Sequence, residues 1–125
     1  MNGRGAKRLG LLLVAVVVPA MAAEWAFSYR SAAVKYAVYG GGLGDPVKPQ
    51  GGDAKAAFEV TGRAAQELFA NMGPDRADRC GAEPGVRFRS RDDDRLTCQR
   101  SAAGEYRCYF GFDLATGKSI GGSIC

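Results

Sequence analysis

Leu96-Thr97-Cys98-Gln99-Arg100-Ser101-Ala102-Ala103-Gly104-Glu105-Tyr106-Arg107-Cys108-Tyr109-Phe110 reads as two strands joined by a tight turn. Ala102-Ala103-Gly104 suits a three-residue hairpin loop, with Gly104 taking the left-handed conformation that a side chain would disfavour. Closing that loop at Ser101 and Glu105 sets Arg100 opposite Tyr106, and Cys98 opposite Cys108. Counted outward from the closing pair, the two cysteines fall at a non-hydrogen-bonded site, where facing side chains lie closest. The hairpin therefore predicts a Cys98–Cys108 bridge.

Working toward the C-terminus, Phe110 and Phe112 continue the face that carries Tyr106 and Cys108, and Ser119 to Ile124 reads as a further strand. Ala115-Thr116-Gly117 can form a second loop of the same kind, which would set Cys125 opposite Arg107, out of register with Cys108. Cys80 and Cys125 are then left to tie the ends of the sheet. A slip of one residue would favour the other pairing, Cys80 with Cys98 and Cys108 with Cys125.

Working toward the N-terminus, Val86 and Phe88 alternate with Arg87, Arg89 and Arg91, and Asp92-Asp93-Asp94 makes a polar turn into Leu96. The alternation places the three arginines on the wet face of a half-buried strand. Arg95 follows the turn and Arg107 is expected nearby, so these five arginines form the candidate contact surface for a carboxylate, a phosphate or an acidic partner. The best helix begins near Thr61, which can cap it. Ala64, Ala65, Leu68, Phe69 and Met72 share one face, Arg63, Gln66, Glu67 and Asn71 the other, and Gly73-Pro74 stops it. Before it, Ala57 to Val60 is a short strand or the lead-in to the helix. Gly40 to Gly52 reads as an exposed Gly/Pro loop, and Trp25-Ala26-Phe27-Ser28-Tyr29 and Val34 to Tyr39 both alternate as strands do.

The predicted fold is thus α+β: a small single domain in which one helix packs on an antiparallel, disulfide-bonded meander. Its parts are a strand-and-loop region over 23–52, a short strand and helix over 53–73, and the cysteine-bridged meander over 80–125.

Residues 1–22 carry the marks of a cleaved secretory signal. Arg4, Lys7 and Arg8 precede an apolar run from Leu9 to Val18, and Ala20 and Ala22 are small at the positions a signal peptidase reads. The run is too short for a stable membrane span. Of the 17 Lys+Arg, three lie in this segment, which leaves 14 against 13 Asp+Glu in residues 23–125. So small an excess gives no support to nucleic-acid binding. Four cysteines in an exported chain favour disulfides, and the chain has no histidine and no zinc-type cysteine spacing, so no metal or cofactor is expected.

Catalysis has little to stand on. The commonest general base is missing, and oxidised cysteines are not nucleophiles. Nothing in the spacing of Glu59, Glu67 and Asp113 makes them converge for hydrolysis. Gly117-Lys118-Ser119 lacks the glycine spacing and helix of a phosphate loop. Asp92-Asp93-Asp94 lacks the spaced oxygens of a calcium loop. The function expected is a non-catalytic module of the bacterial envelope, periplasmic or secreted, that binds a protein or an anionic ligand in the manner of inhibitor or immunity proteins. The alternative is an envelope assembly component in which Trp25, Phe27, Tyr29 and Tyr36 form an exposed edge that pairs with a neighbour. A carboxylate-based hydrolase ranks third.

Overall fold

The computed structural model describes residues 2, 5, 10–20, 23–77 and 83–124. Arg4, Lys7, Arg8 and Ala22 of the expected signal lie outside the described residues, as do Cys80 and Cys125 and hence their expected bridge. Within that segment, residues 10–20 are exposed and carry no helix or strand. Among the described residues no helix is long and apolar enough to cross a membrane.

The domain is a seven-stranded antiparallel sheet with one helix packed on it, pinned by the Cys98–Cys108 disulfide. The elements are β1 (Ala33–Gly42), β2 (Asp45–Val47), β3 (Lys55–Thr61), α1 (Gly62–Asn71), β4 (Arg87–Arg91), β5 (Leu96–Arg100), β6 (Tyr106–Asp113) and β7 (Ser119–Ile120). The hydrogen-bonded order is β2-β1-β3-β6-β5-β4, with β7 also on β6. Strands β4, β5 and β6 form a meander, and β6 joins it to β3.

The hairpin forms in the register its sequence dictates. Arg100 faces Tyr106 and Cys98 faces Cys108. The amide of Ser101 donates to Glu105 O at 2.8 Å, and that of Gly104, with φ 86°, to Ser101 O at 2.9 Å. The two cysteine Cα atoms lie 4.0 Å apart. Both cysteines are buried, and Cys108 Sγ sits 3.4 Å from the carbonyl oxygen of Ala65 in α1.

Thr61 stands at the helix N-cap, but its hydroxyl makes no capping bond. It is also the last residue of β3, paired with Ala33 and Arg107. The reversal from strand to helix is carried instead by Gly62, with φ 67°. Strand and helix are therefore contiguous, and α1 folds straight back over the sheet. Ala65, Phe69 and Met72 pack there against Val60, Cys98 and Cys108, flanked by Tyr106, Phe110 and Leu96. Leu68, expected in the same stripe, is left partly exposed.

Four expectations are corrected. Trp25 to Tyr29 is not a strand but an exposed arm without regular structure. Among the described residues it pairs with no strand. Gly40 to Gly52 is not all loop: Gly40–Gly42 pairs with Asp45–Val47. Gly40 is buried where the returning chain crosses it, since a Cβ there would lie 2.9 Å from Lys48 O. The turn after β6 closes at Asp113 and Lys118 rather than one residue later, with Asp113 Oδ1 accepting the amides of Ala115 and Thr116. The last strand then stops at Ile120 because β5 already occupies the next stretch of the same β6 edge. Beyond it the tail lies directly on the backbone of β6, so close that a Cβ on Gly122 would collide with Phe110 O.

Candidate functional site

Side-chain direction alternates along each strand, so register assigns every residue to one of two faces. The face under α1 carries Val34, Tyr36 and Val38 of β1, then Ala56, Phe58 and Val60 of β3, then Tyr106, Cys108, Phe110 and Phe112 of β6, and Leu96, Cys98 and Arg100 of β5. Arg89 is the register partner of Cys98, so Arg87, Arg89 and Arg91 lie on this face too. This corrects their expected place on the wet face. The four residues Asp92–Arg95 between β4 and β5 join Arg91 to Leu96, and this pairing carries the arginines to the helix side.

Their charge is spent there. Asp75, just beyond the helix, accepts from Arg87 Nε at 2.8 Å and Arg89 Nε at 2.9 Å. Arg89 also donates to Phe69 O at 2.7 Å, and its guanidinium stacks 4.1 Å from the Phe69 ring centroid. The two guanidinium groups hold the Asp75 carboxyl well below the ordinary carboxylate value, at about 2. Arg91 donates to the carbonyl of Ser90 and lies against Gly73. Arg95 binds Asp92 at 2.9 Å across the turn, where all three aspartates have positive φ. Only Arg107 is elsewhere, on the opposite face beside Tyr109. The five arginines do not form one surface, and the first two clamp the end of α1 to β4.

The opposite face gathers Lys35, Glu59, Tyr109 and Thr97 in one register row. Burial pushes the Tyr109 hydroxyl up in pKa, opposed by Arg107 and reinforced by Glu59. Next to this row, at the Thr61–Gly62 corner, Arg63, Arg100, Arg107 and Lys35 share an open basin with Glu59 and Glu105. Its charges are mixed and in contact with solvent. The other carboxylates considered for catalysis lie apart: Glu67 is on α1 with Arg30 and Arg63, and Asp113 is committed to its turn. Among the described residues no three His, Cys, Asp or Glu side chains converge, and no buried side-chain polar atom lacks a partner.

The outstanding surface is apolar. The helix covers the β5–β6 half of its face and leaves the β1 side bare. Every residue of β1 from Ala33 to Val38 is exposed. Val34, Tyr36 and Val38 are 47, 75 and 47% accessible. Beside them Phe58, Phe110 and Phe112 form a cluster, with ring centroids 5.2 Å apart for the stacked Phe58–Phe110 pair and 6.1 Å for Phe110–Phe112. Residues 33–39 hydrogen-bond to β3 on one edge only, so among the described residues their other edge carries no strand. An unpaired edge and a bare apolar face coincide on one strand. Sequence reading found Tyr36 but not the surface, because the alternation of Val34, Tyr36 and Val38 is equally that of a buried strand. Compared with protein-family models, curated proteins and solved structures, the chain matches none.

Proposed function

We propose that this domain is a non-catalytic protein-binding module that works outside the cytoplasm and captures an extended polypeptide as an added strand on β1. The observation that carries this reading is the exposure of Ala33–Val38 on both faces of a strand whose outer edge, among the described residues, carries no strand. Natural sheets blunt such edges with charge, proline or a covering element. Here Lys35 is the only charge on the free stretch, and it points away from the apolar face. Strand addition would satisfy the edge amides and carbonyls, while Val34, Tyr36, Val38 and Phe58 offer side chains for specificity. The Cys98–Cys108 bridge accords with an oxidising compartment. The anion-binding reading loses its support, because Arg87 and Arg89 are already paired.

The test compares the oxidised domain with its Tyr36→Lys variant as bait for proteins of the producing cell's envelope and medium. Tyr36 is exposed, so the variant should keep its circular dichroism. Retention by the native domain of a polypeptide that the variant releases, identified by mass, with slowed amide exchange over 33–38, is the expected result. Equal retention by both would remove β1 as the binding strand.

A further inference from the structure

A second unsatisfied element lies immediately before β1. Trp25, Phe27 and Tyr29 are 86, 73 and 93% exposed, and they alternate with Ala26 and Ser28. Such alternation suits a strand with one aromatic face. Within the arm Phe27 and Tyr29 touch edge to face at 5.4 Å, and Arg30 ties it to the helix through Glu67 at 2.6 Å. An exposed ion pair of that kind holds a segment weakly. One chain therefore carries both a strand without a sheet and a sheet edge without a strand.

We infer that the strand β1 accepts is the Trp25–Tyr29 arm of a second copy of this chain, exchanged reciprocally. The inference rests on β1 being the docking strand. In an antiparallel pairing with Phe27 opposite Tyr36, Trp25 faces Val38 and Tyr29 faces Val34, so all three aromatics extend the bare apolar face. On the other face Ser28 meets Lys35, Ala26 meets Ala37 and Arg30 meets Ala33. No like charges stand directly opposite, and Lys35 keeps Glu59 as its neighbour on β3. The same register continues through the hinge, where Ser31 meets Ala32 of the other copy. Arm and β1 then form one long strand, paired with its twin about a two-fold axis, and the contact is closed and isologous.

The arm cannot easily satisfy its own β1. Folding back in this register would need a two-residue turn at Ser31-Ala32. Two-residue hairpin turns require positive φ at one or both positions, which Gly, Asn or Asp supply and Ser and Ala do not. A hinge too short to close within one chain favours exchange between two.

The experiment measures self-association by sedimentation equilibrium, on protein purified in the form the producing cell accumulates. The native chain should be a dimer. Phe27→Glu and Tyr36→Lys should each weaken it by about tenfold or more, with the fold retained. The double variant, which sets the new carboxylate of one copy's arm against the new ammonium on β1 of the other, should recover much of the loss. A native chain that stays monomeric at its highest soluble concentration overturns the inference. So does weakening by Tyr36→Lys without weakening by Phe27→Glu, which would leave β1 as a docking strand for something other than the arm. A dimer indifferent to both variants removes the arm and β1 together as its contact. Weakening by both without recovery in the double variant overturns the pairing of Phe27 with Tyr36.

Discussion

The two halves of the sheet face treat the same kind of residue in opposite ways. Over β5 and β6, α1 seals Val60, Phe69, Met72 and the Cys98–Cys108 bridge into a core. Over β1, Val34, Tyr36 and Val38 project from an equally regular strand into solvent. The difference follows from the length and position of one helix. Helix α1 starts where β3 ends, at Gly62, and runs only to Asn71. At 1.5 Å per residue its ten residues span about 15 Å. A helix that short, docked over β6, cannot also cover the outermost strand. The sealed half holds the core, and the bare half is the surface on which the proposed strand addition would take place.

The largest effect expected is therefore in the sealed half. Phe69 is buried against Tyr106, with ring centroids 5.3 Å apart, and carries Arg89 on its face. Phe69→Ala should cost about 3–5 kcal/mol, the usual range for emptying an aromatic site in a core, read from urea unfolding of the oxidised protein. A loss below roughly 1 kcal/mol would mean that this half is not the core and that the contrast between the halves is false.

A smaller effect is expected where the arginines clamp α1 to β4. Asp75 has a folded-state pKa depressed to about 2. Its contribution to stability is complete above its ordinary value of 3.8 and is lost as pH falls through about 2. Asp75→Asn should flatten the stability profile in that acid window and lower stability at neutral pH, with little change at the acid extreme. Thermal melts at pH steps across the window check this. An unchanged acid profile in the variant would mean that the Arg87–Asp75–Arg89 cluster does not hold the helix end.

These same arginines mark the limit of what the sequence disclosed. The hairpin at Ser101–Glu105 was legible because turn length and Gly104 fix its register, and register fixes the cysteine pair. The helix stripe was legible from spacing, and Gly73 stops it as expected, with φ 80°. Arg87, Arg89 and Arg91 were placed on the wrong face, although a signal existed. The stretch Asp92–Arg95 is a four-residue connection, and closing it at Arg91 and Leu96 puts Arg89 beside Cys98. Apolar alternation through Val86 and Phe88 pointed the other way, and register prevailed because Cys98 must meet Cys108. The bare face of β1 was beyond reach, since burial there depends on where the helix ends its cover, which local alternation does not encode.

The smallest effect should come from the bare half. Tyr36 is mostly exposed, so removing its ring takes little from the core of a single chain. Threonine keeps the strand preference of the site while deleting the aromatic surface. Tyr36→Thr should therefore change the unfolding free energy by less than about 0.5 kcal/mol, measured at protein concentrations low enough to avoid association. At high concentration the proposed exchange predicts that the same substitution lowers the apparent stability, because dimer formation would add a mass-action term to the native chain that the variant loses. Stability that depends on concentration in the native chain but not in the variant assigns Tyr36 to the interface. A loss of several kcal/mol at low concentration would instead mean that Tyr36 is packed within its own chain. The bare half would then belong to the core, and no surface would remain for an incoming strand.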